Sequence, residues 1–138
     1  MLLLSVYRFR LSHQWLRPLL NWRRTAPSPL QVARAHQFKE RIRFHLEHNF
    51  GNCEYNVARL SADMGMSRSQ LFRKCKQNHK QSPVVLIKQF RLEKSRDFLN
   101  SGIYNVSEAA YLAGFNSLSY YSKSFRKVYG ETPSRFMA

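Results

Sequence analysis

The chain has 138 residues and a mass of 16.4 kDa, room for one domain or for two very small lobes sharing a core. It carries 23 Lys and Arg against 8 Asp and Glu, a formal net charge of +15. Such an excess points to a polyanionic partner, nucleic acid first and an anionic membrane surface second. Hydrophobic residues at 43% and aromatics at 14% exclude a disordered basic tail. Two cysteines, Cys53 and Cys75, are too few for a disulfide scaffold and favour a reducing, cytoplasmic setting.

The apolar start Met1 to Leu4 is followed by Arg8, Arg10 and Arg17, far short of the roughly 20 apolar residues a membrane span needs. Nor does it have the charge order or small-residue cleavage site of a signal peptide. Residues 1–36 hold six Arg and no acid, and residues 37–138 hold the other seventeen basic residues and all eight acidic ones. Thr25-Ala26-Pro27-Ser28-Pro29 reads as a linker, because two prolines interrupt a helix. Residues 1–36 are thus expected to be a basic tail and linker, with the folded domain over 37–138. An amphipathic helix over residues 7–24, with Trp15 and Trp22, is the alternative reading of the tail.

From Gln37 the pattern is helical, and no stretch alternates well enough for a strand. Phe38, Ile42, Phe44, His45 and Leu46 fall near a 3.6-residue period and predict a helix ending near His48. A short helix follows over 57–64, Gly65 punctuates, and Ser67 opens another reaching about Asn78. Ser82 as N-cap and Pro83 at the first position begin a long helix to Asn100, with Leu86, Ile87, Phe90, Phe98 and Leu99 as one apolar stripe. Short and long helices over about 107–113 and 117–129 come next, and Gly130 and Pro133 precede a last turn. The expected fold is all-α: two helix-turn-helix lobes, about 37–81 and 103–137, joined by a linker helix over 83–100, about seven helices in all.

The second lobe repeats the first. Val57 to Ser67 aligns with Val106 to Asn116 at an offset of 49, and Leu71, Arg73, Cys75 and Lys76 align with Tyr121, Lys123, Phe125 and Arg126 at 50. Each copy is helix, glycine turn, helix. Small residues (Ala62, Ala110) allow close crossing, and glycine takes the left-handed turn. Met66 and Phe115 plug the corner, and Ser67 and Asn116 cap the next helix. In that helix Leu71 and Cys75, or Tyr121 and Phe125, point inward, while Tyr120 faces out. Opposite lie Arg68, Ser69, Arg73 and Lys76 in one copy and Ser119, Tyr120, Lys123 and Arg126 in the other. A basic helix face of this kind suits the major groove of DNA.

Asn105 to Asn116 followed by Ser119 to Pro133, together with Met64 to Lys74 and the pair Arg91-Leu92, resembles the AraC/XylS family of bacterial transcription regulators over about residues 37–137. The resemblance implies two recognition helices in successive major grooves, about one helical turn apart on one DNA face. By position it makes Ser69, Phe72, Arg73, Leu118, Ser119, Tyr120 and Lys123 base-reading residues, with apolar Phe72 and Leu118 suited to thymine methyl groups. Arg68, Lys76, Asn116, Ser117 and Arg126 become phosphate contacts, as does Arg91, for which a linker-helix brace is the other role. Ser95 stands where the family has a small apolar residue. The implied partners are double-stranded DNA and RNA polymerase. This chain leaves no room for a ligand-sensing domain, so it is expected to be a stand-alone regulator or the end of a longer, hybrid one. The Met66-Ser67-Arg68-Ser69-Gln70-Leu71 stretch resembles domains that end large hybrid sensor regulators.

His45-x-x-His48 and Cys75-x-x-x-His79 have ligand-like spacings, but structural zinc prefers tight paired motifs and Cys75 matches the core residue Phe125. Neither metal nor cofactor is expected. No paired carboxylates, activated cysteine or phosphate-cradling loop indicates an enzyme. The competing function is a non-specific cationic binder of nucleic acid or membrane surfaces.

Overall fold

The computed structural model describes residues 26–137, and all its regular elements are helices. In chain order they are α1 Pro29–Asn49, α2 Val57–Asp63, α3 Arg68–His79, α4 Pro83–Asn100, α5 Val106–Leu112, α6 Leu118–Tyr129 and α7 Pro133–Met137. One compact unit comprises Ala35–Ala138. The basic stretch holding Trp15 and Trp22 lies outside the described residues. None of the described helices is long and apolar enough to cross a membrane.

Helix α1 starts eight residues before Gln37, because Pro29 opens the helix instead of breaking it. Proline at the first helical position sacrifices no hydrogen bond. Ser28 and Gln31 close a reciprocal cap: the Gln31 N–H donates to Ser28 Oγ at 3.2 Å and the Ser28 N–H to Gln31 Oε1 at 2.8 Å. Phe38, Ile42 and Leu46, four apart, make the buried stripe of α1, while Phe44 is exposed.

The two helix-turn-helix units are built from the same bonds. Asn56 Oδ1 accepts from the N–H groups of Ala58 and Arg59 at 3.0 and 3.2 Å and starts α2. At its end Gly65, with φ of +67°, donates to Ala62 O at 2.9 Å, and Met66 donates to Ser61 O at 3.0 Å. In the second lobe Asn105 and Glu108 exchange side-chain caps, both at 2.9 Å. Gly114, with φ of +89°, donates to Tyr111 O and Phe115 to Ala110 O, both at 3.0 Å. This paired closure satisfies the last carbonyls and requires the left-handed residue that glycine supplies.

Two expectations about the repeat are corrected. The small residue buried at the first crossing is Ser61, the partner of Ala110 at offset 49, and Ala62 is exposed. The cap of α6 is Ser117, whose Oγ accepts from the Tyr120 N–H at 3.3 Å. Asn116 is therefore the inserted residue, and Ser67 and Ser117 are the equivalent caps.

Each lobe has its own core. The first gathers Phe38, Ile42 and Leu46 of α1 with Tyr55, Leu60, Met64, Leu71, Cys75 and Ile87. The second gathers Leu92 and Leu99 with Ala109, Ala110, Ala113, Phe115, Tyr121 and Phe125. Helix α4 thus feeds Ile87 to one lobe and Leu92 and Leu99 to the other, so it buries two faces where one apolar stripe was expected. Fully buried Leu92 was not part of that stripe. Ser82 caps α4, accepting from the Val85 N–H at 3.4 Å, and Pro83 takes its first position.

Ser95 is completely buried, and its hydroxyl donates to Leu92 O at 2.7 Å, so its polarity is absorbed within α4. The neighbouring phenol oxygen of Tyr121 is buried without a hydrogen-bond partner. Burial pushes this phenol above its ordinary pKa. The nearby Ser95 hydroxyl opposes that shift in the manner of a hydrogen bond, but its own proton goes to Leu92 O and hydrogen-bond geometry to the phenol is not met. An unpaired buried hydroxyl is destabilising. Tyr121→Phe is expected to keep the fold and raise stability by about 1 kcal/mol, a Tm increase of several degrees. A comparable decrease in Tm would show that the hydroxyl is bonded in solution.

His79 closes α3 with its Nε2 buried and unpartnered, its ring centroid 6.2 Å from that of Phe38. Burial, reinforced by Lys39, holds its pKa below the ordinary value. The unfolded chain therefore takes up this proton first as pH falls. Stability contributed by neutral His79 is present above about pH 6.5 and is lost as pH drops below it. Urea midpoints measured from pH 8 to pH 5 should decline more in the wild type than in His79→Leu; equal slopes would refute the assignment.

Candidate nucleic-acid interface

Helices α3 and α6 are each twelve residues long and carry no acidic residue. Arg68, Arg73, Lys74 and Lys76 lie on α3, and Lys123, Arg126 and Lys127 on α6. The eight acids are distributed over the remaining segments, with Glu40 and Glu47 on α1 and Glu93 and Asp97 on α4. Among the described residues the ion pairs are Lys94 with Glu47 at 2.6 Å and His45 with Asp63 at 4.0 Å, the latter when His45 is protonated. The cations of α3 and α6 are left without a carboxylate.

Core anchoring decides which way these cations face. Leu71 and Cys75 of α3 are fully buried, and so are Tyr121 and Phe125 of α6. At 100° per residue, a position two from each anchor lies nearly opposite both. That places Arg73 and Lys123 outward, with Ser69 and Lys76, or Ser119 and Arg126, on the same side. All six are exposed. Phe72, Leu118 and Tyr120 are 40%, 37% and 53% exposed and adjoin these residues in sequence. Phe125 ties this helix inward by packing its ring against Tyr129 and Phe136, at centroid distances of 4.6 and 5.6 Å.

The helix starts differ between lobes. Gln70 reaches back to the Ser67 N–H at 3.0 Å and completes a capping box. Tyr120 holds the corresponding place in α6 and makes no such bond, and its half-exposed ring lies 6.3 Å from that of Phe115. Arg68, Asn116 and Ser117 are exposed at these helix starts. Ser117 Oγ accepts from the Tyr120 N–H and keeps its own proton to donate.

Arg91 is the exception among the expected DNA contacts. Its Nε donates to Phe50 O at 3.2 Å, and its Nη2 donates to Asn52 O and Tyr55 O, both at 2.9 Å. Burial lowers its pKa, with Cys53 and Tyr120 opposing. The guanidinium is engaged by backbone carbonyls of the loop after α1, the geometry of the linker-helix brace that is one of the two roles expected for it. A crevice of about 250 Å³ beside it is lined by Cys53, Val57, Lys88, Phe115, Asn116 and Tyr120. Cys75, by contrast, is a core residue whose thiol burial pushes up to about 11.

Phe50 and Gly51, outside the motif, and the turn glycine Gly114, inside it, bring the two lobes' backbones together. A Cβ on Gly114 would lie 2.1 Å from Phe50 O. The glycine pattern signals a turn but not this second demand.

A helix-turn-helix domain family matches residues 60–138. The chain is 35% identical over 91 residues to histidine kinase P4 of Formosa agariphila, a match covering 66% of this chain and 7% of that protein. It is 31% identical over 83 residues to the HTH-type transcriptional regulator MtrA of Neisseria gonorrhoeae, covering 60% and 28% respectively. The chain thus spans less than a third of the length of these relatives. The DNA-binding domain of the global transcriptional factor AdpA, solved in complex with a target DNA, superposes with a TM-score of 0.66 at 25% identity, covering 72% of this chain and 87% of that one. Two helix-turn-helix lobes on a shared linker helix, and the sequence match over the second lobe and much of the first, place this chain in the AraC/XylS family of DNA-binding transcription regulators.

Proposed function

We propose that this chain binds duplex DNA sequence-specifically and regulates transcription, seating α3 and α6 in successive major grooves about one helical turn apart. The observation that carries this reading is the repeated outward face of α3 and α6, cationic and free of neutralising carboxylates. Arg73 and Lys123, opposite the buried anchors of their helices, suit the O6 and N7 acceptors of guanine. Ser69 and Ser119 accompany them, and Phe72, Leu118 and Tyr120 offer apolar contact to thymine methyl groups. Arg68, Lys76, Asn116, Ser117 and Arg126 flank these faces and hold phosphates. Such a regulator works in the bacterial cytoplasm, where DNA is held, and at a promoter it stands beside RNA polymerase. The solved complex of the AdpA domain with its target DNA supports the same use of the fold.

Selection from a random duplex library at physiological salt tests the reading. A motif of two blocks centred about 10 base pairs apart is expected. A steep salt slope without enrichment of any sequence would replace it with non-specific cationic binding. Arg73→Ala and Lys123→Ala should each relax one block and weaken the selected site by about 1–3 kcal/mol. Lys76→Ala should weaken all sequences alike and reduce the salt slope by about one. An unchanged selected motif in Arg73→Ala would remove α3 from base recognition.

A further inference from the structure

Two recognition helices read one site only if their separation and rotation about the DNA axis are held. The two cores share only α4, and a helix with separate cores at its ends does not by itself fix their rotation. A second connection is present. The loop Phe50–Tyr55 of the first lobe meets the turn Leu112–Phe115 of the second, backbone against backbone. A Cβ on Gly114 would lie 2.1 Å from Phe50 O and 2.9 Å from Arg91 Nε, and a Cβ on Gly51 would lie 3.1 Å from Leu112 O. The repeat supplies an internal control: Gly65, the counterpart of Gly114, has nothing within 4 Å of an added Cβ. Left-handed φ explains both glycines, but only Gly114 is also demanded by the other lobe.

Arg91 locks this contact. From α4 it donates to Phe50 O, Asn52 O and Tyr55 O, so the Phe50 carbonyl that abuts Gly114 is held by the guanidinium at 3.2 Å. Phe50 is packed from the other side by Phe90 and Phe98, with ring centroids at 6.1 and 6.3 Å. We infer that Arg91, Gly51 and Gly114 form an interlobe clamp that sets the distance and rotational phase between α3 and α6, making Arg91 a positioning residue that determines block spacing and not base identity. The inference rests on the proposed reading of DNA by both helices.

The test is equilibrium binding of the full chain to duplexes carrying the two selected blocks at the selected spacing, at spacings one base pair longer and shorter, and singly. One base pair turns a block by roughly a tenth of the helical repeat, so the wild type should lose about tenfold or more at either altered spacing. Arg91→Ala should compress that loss to less than about threefold while keeping the selected bases and the single-block affinities. A wild-type spacing profile in Arg91→Ala overturns the clamp. If Arg91→Ala fails to fold, Gly51→Ala takes its place. Its Cβ needs a shift of a few tenths of an ångström, and it should broaden or displace the optimum spacing, an unchanged optimum again overturning the clamp. A readout without DNA separates this inference from the reading it rests on. The wild type should unfold in one calorimetric transition and the clamp variant in two, and one unchanged transition overturns the clamp even where the two-block motif is found.

Discussion

Helix α4 is where the two halves of the molecule become one. Over 18 residues, about 27 Å, it gives Ile87 to the first core and Leu92 and Leu99 to the second. Arg91 and Leu92 show how adjacent residues serve different lobes: a 100° step turns the guanidinium to the loop after α1 and the leucine into the second core. Neither lobe is large enough to bury a generous core alone, so sharing a helix is also how so short a chain stays folded. The Lys94–Glu47 pair at 2.6 Å and the Arg96 guanidinium 5.1 Å from the Tyr129 ring add ties from α4 to α1 and α6.

On this frame each recognition helix is held by what it buries. Leu71 and Cys75, or Tyr121 and Phe125, fill positions four apart, and the opposite face is then available to cations and serines. The acids of the chain are kept off both helices, and among the described residues none pairs with their cations. Cations left unpaired within the protein are available to neutralise a polyanion and release its condensed counterions on binding. The two lobes are not equivalent, however. The first has a capping box at Gln70 and exposes Phe72, whereas the second gives up that box and exposes Tyr120 and Leu118.

Much of this was legible in the chain. Glycine turns, cap residues and apolar spacing are local signals, so the seven helices and the repeat emerge from them, and the family signature names the residues on α3 and α6. Pro29 opens a helix where the preference against interior proline predicts a break, because at a helix start its missing N–H costs nothing and Ser28 and Gln31 supply the capping bonds. Ala62 lies one residue from the buried crossing residue Ser61, because small size alone does not say which side of a short helix is packed. Asn116 lies one residue from the cap Ser117, because the insertion after Phe115 shifts the register and the hydrogen bonds show where it falls.

What the sequence by itself determined is therefore the composition of each unit: which helices form, which side of each is apolar, and that two basic faces are repeated in a strongly cationic chain. Periodicity and capping act within a few residues of each other, so they are written along the chain. What only the tertiary structure decided is how residues distant in sequence meet. Arg91 is 41 positions from Phe50, and Gly114 lies farther still, yet the three converge because α4 turns one face to each lobe. A cation on a helix reads the same in sequence whether it meets a phosphate or three carbonyls, and the packing around it, not the residue type, chooses between them.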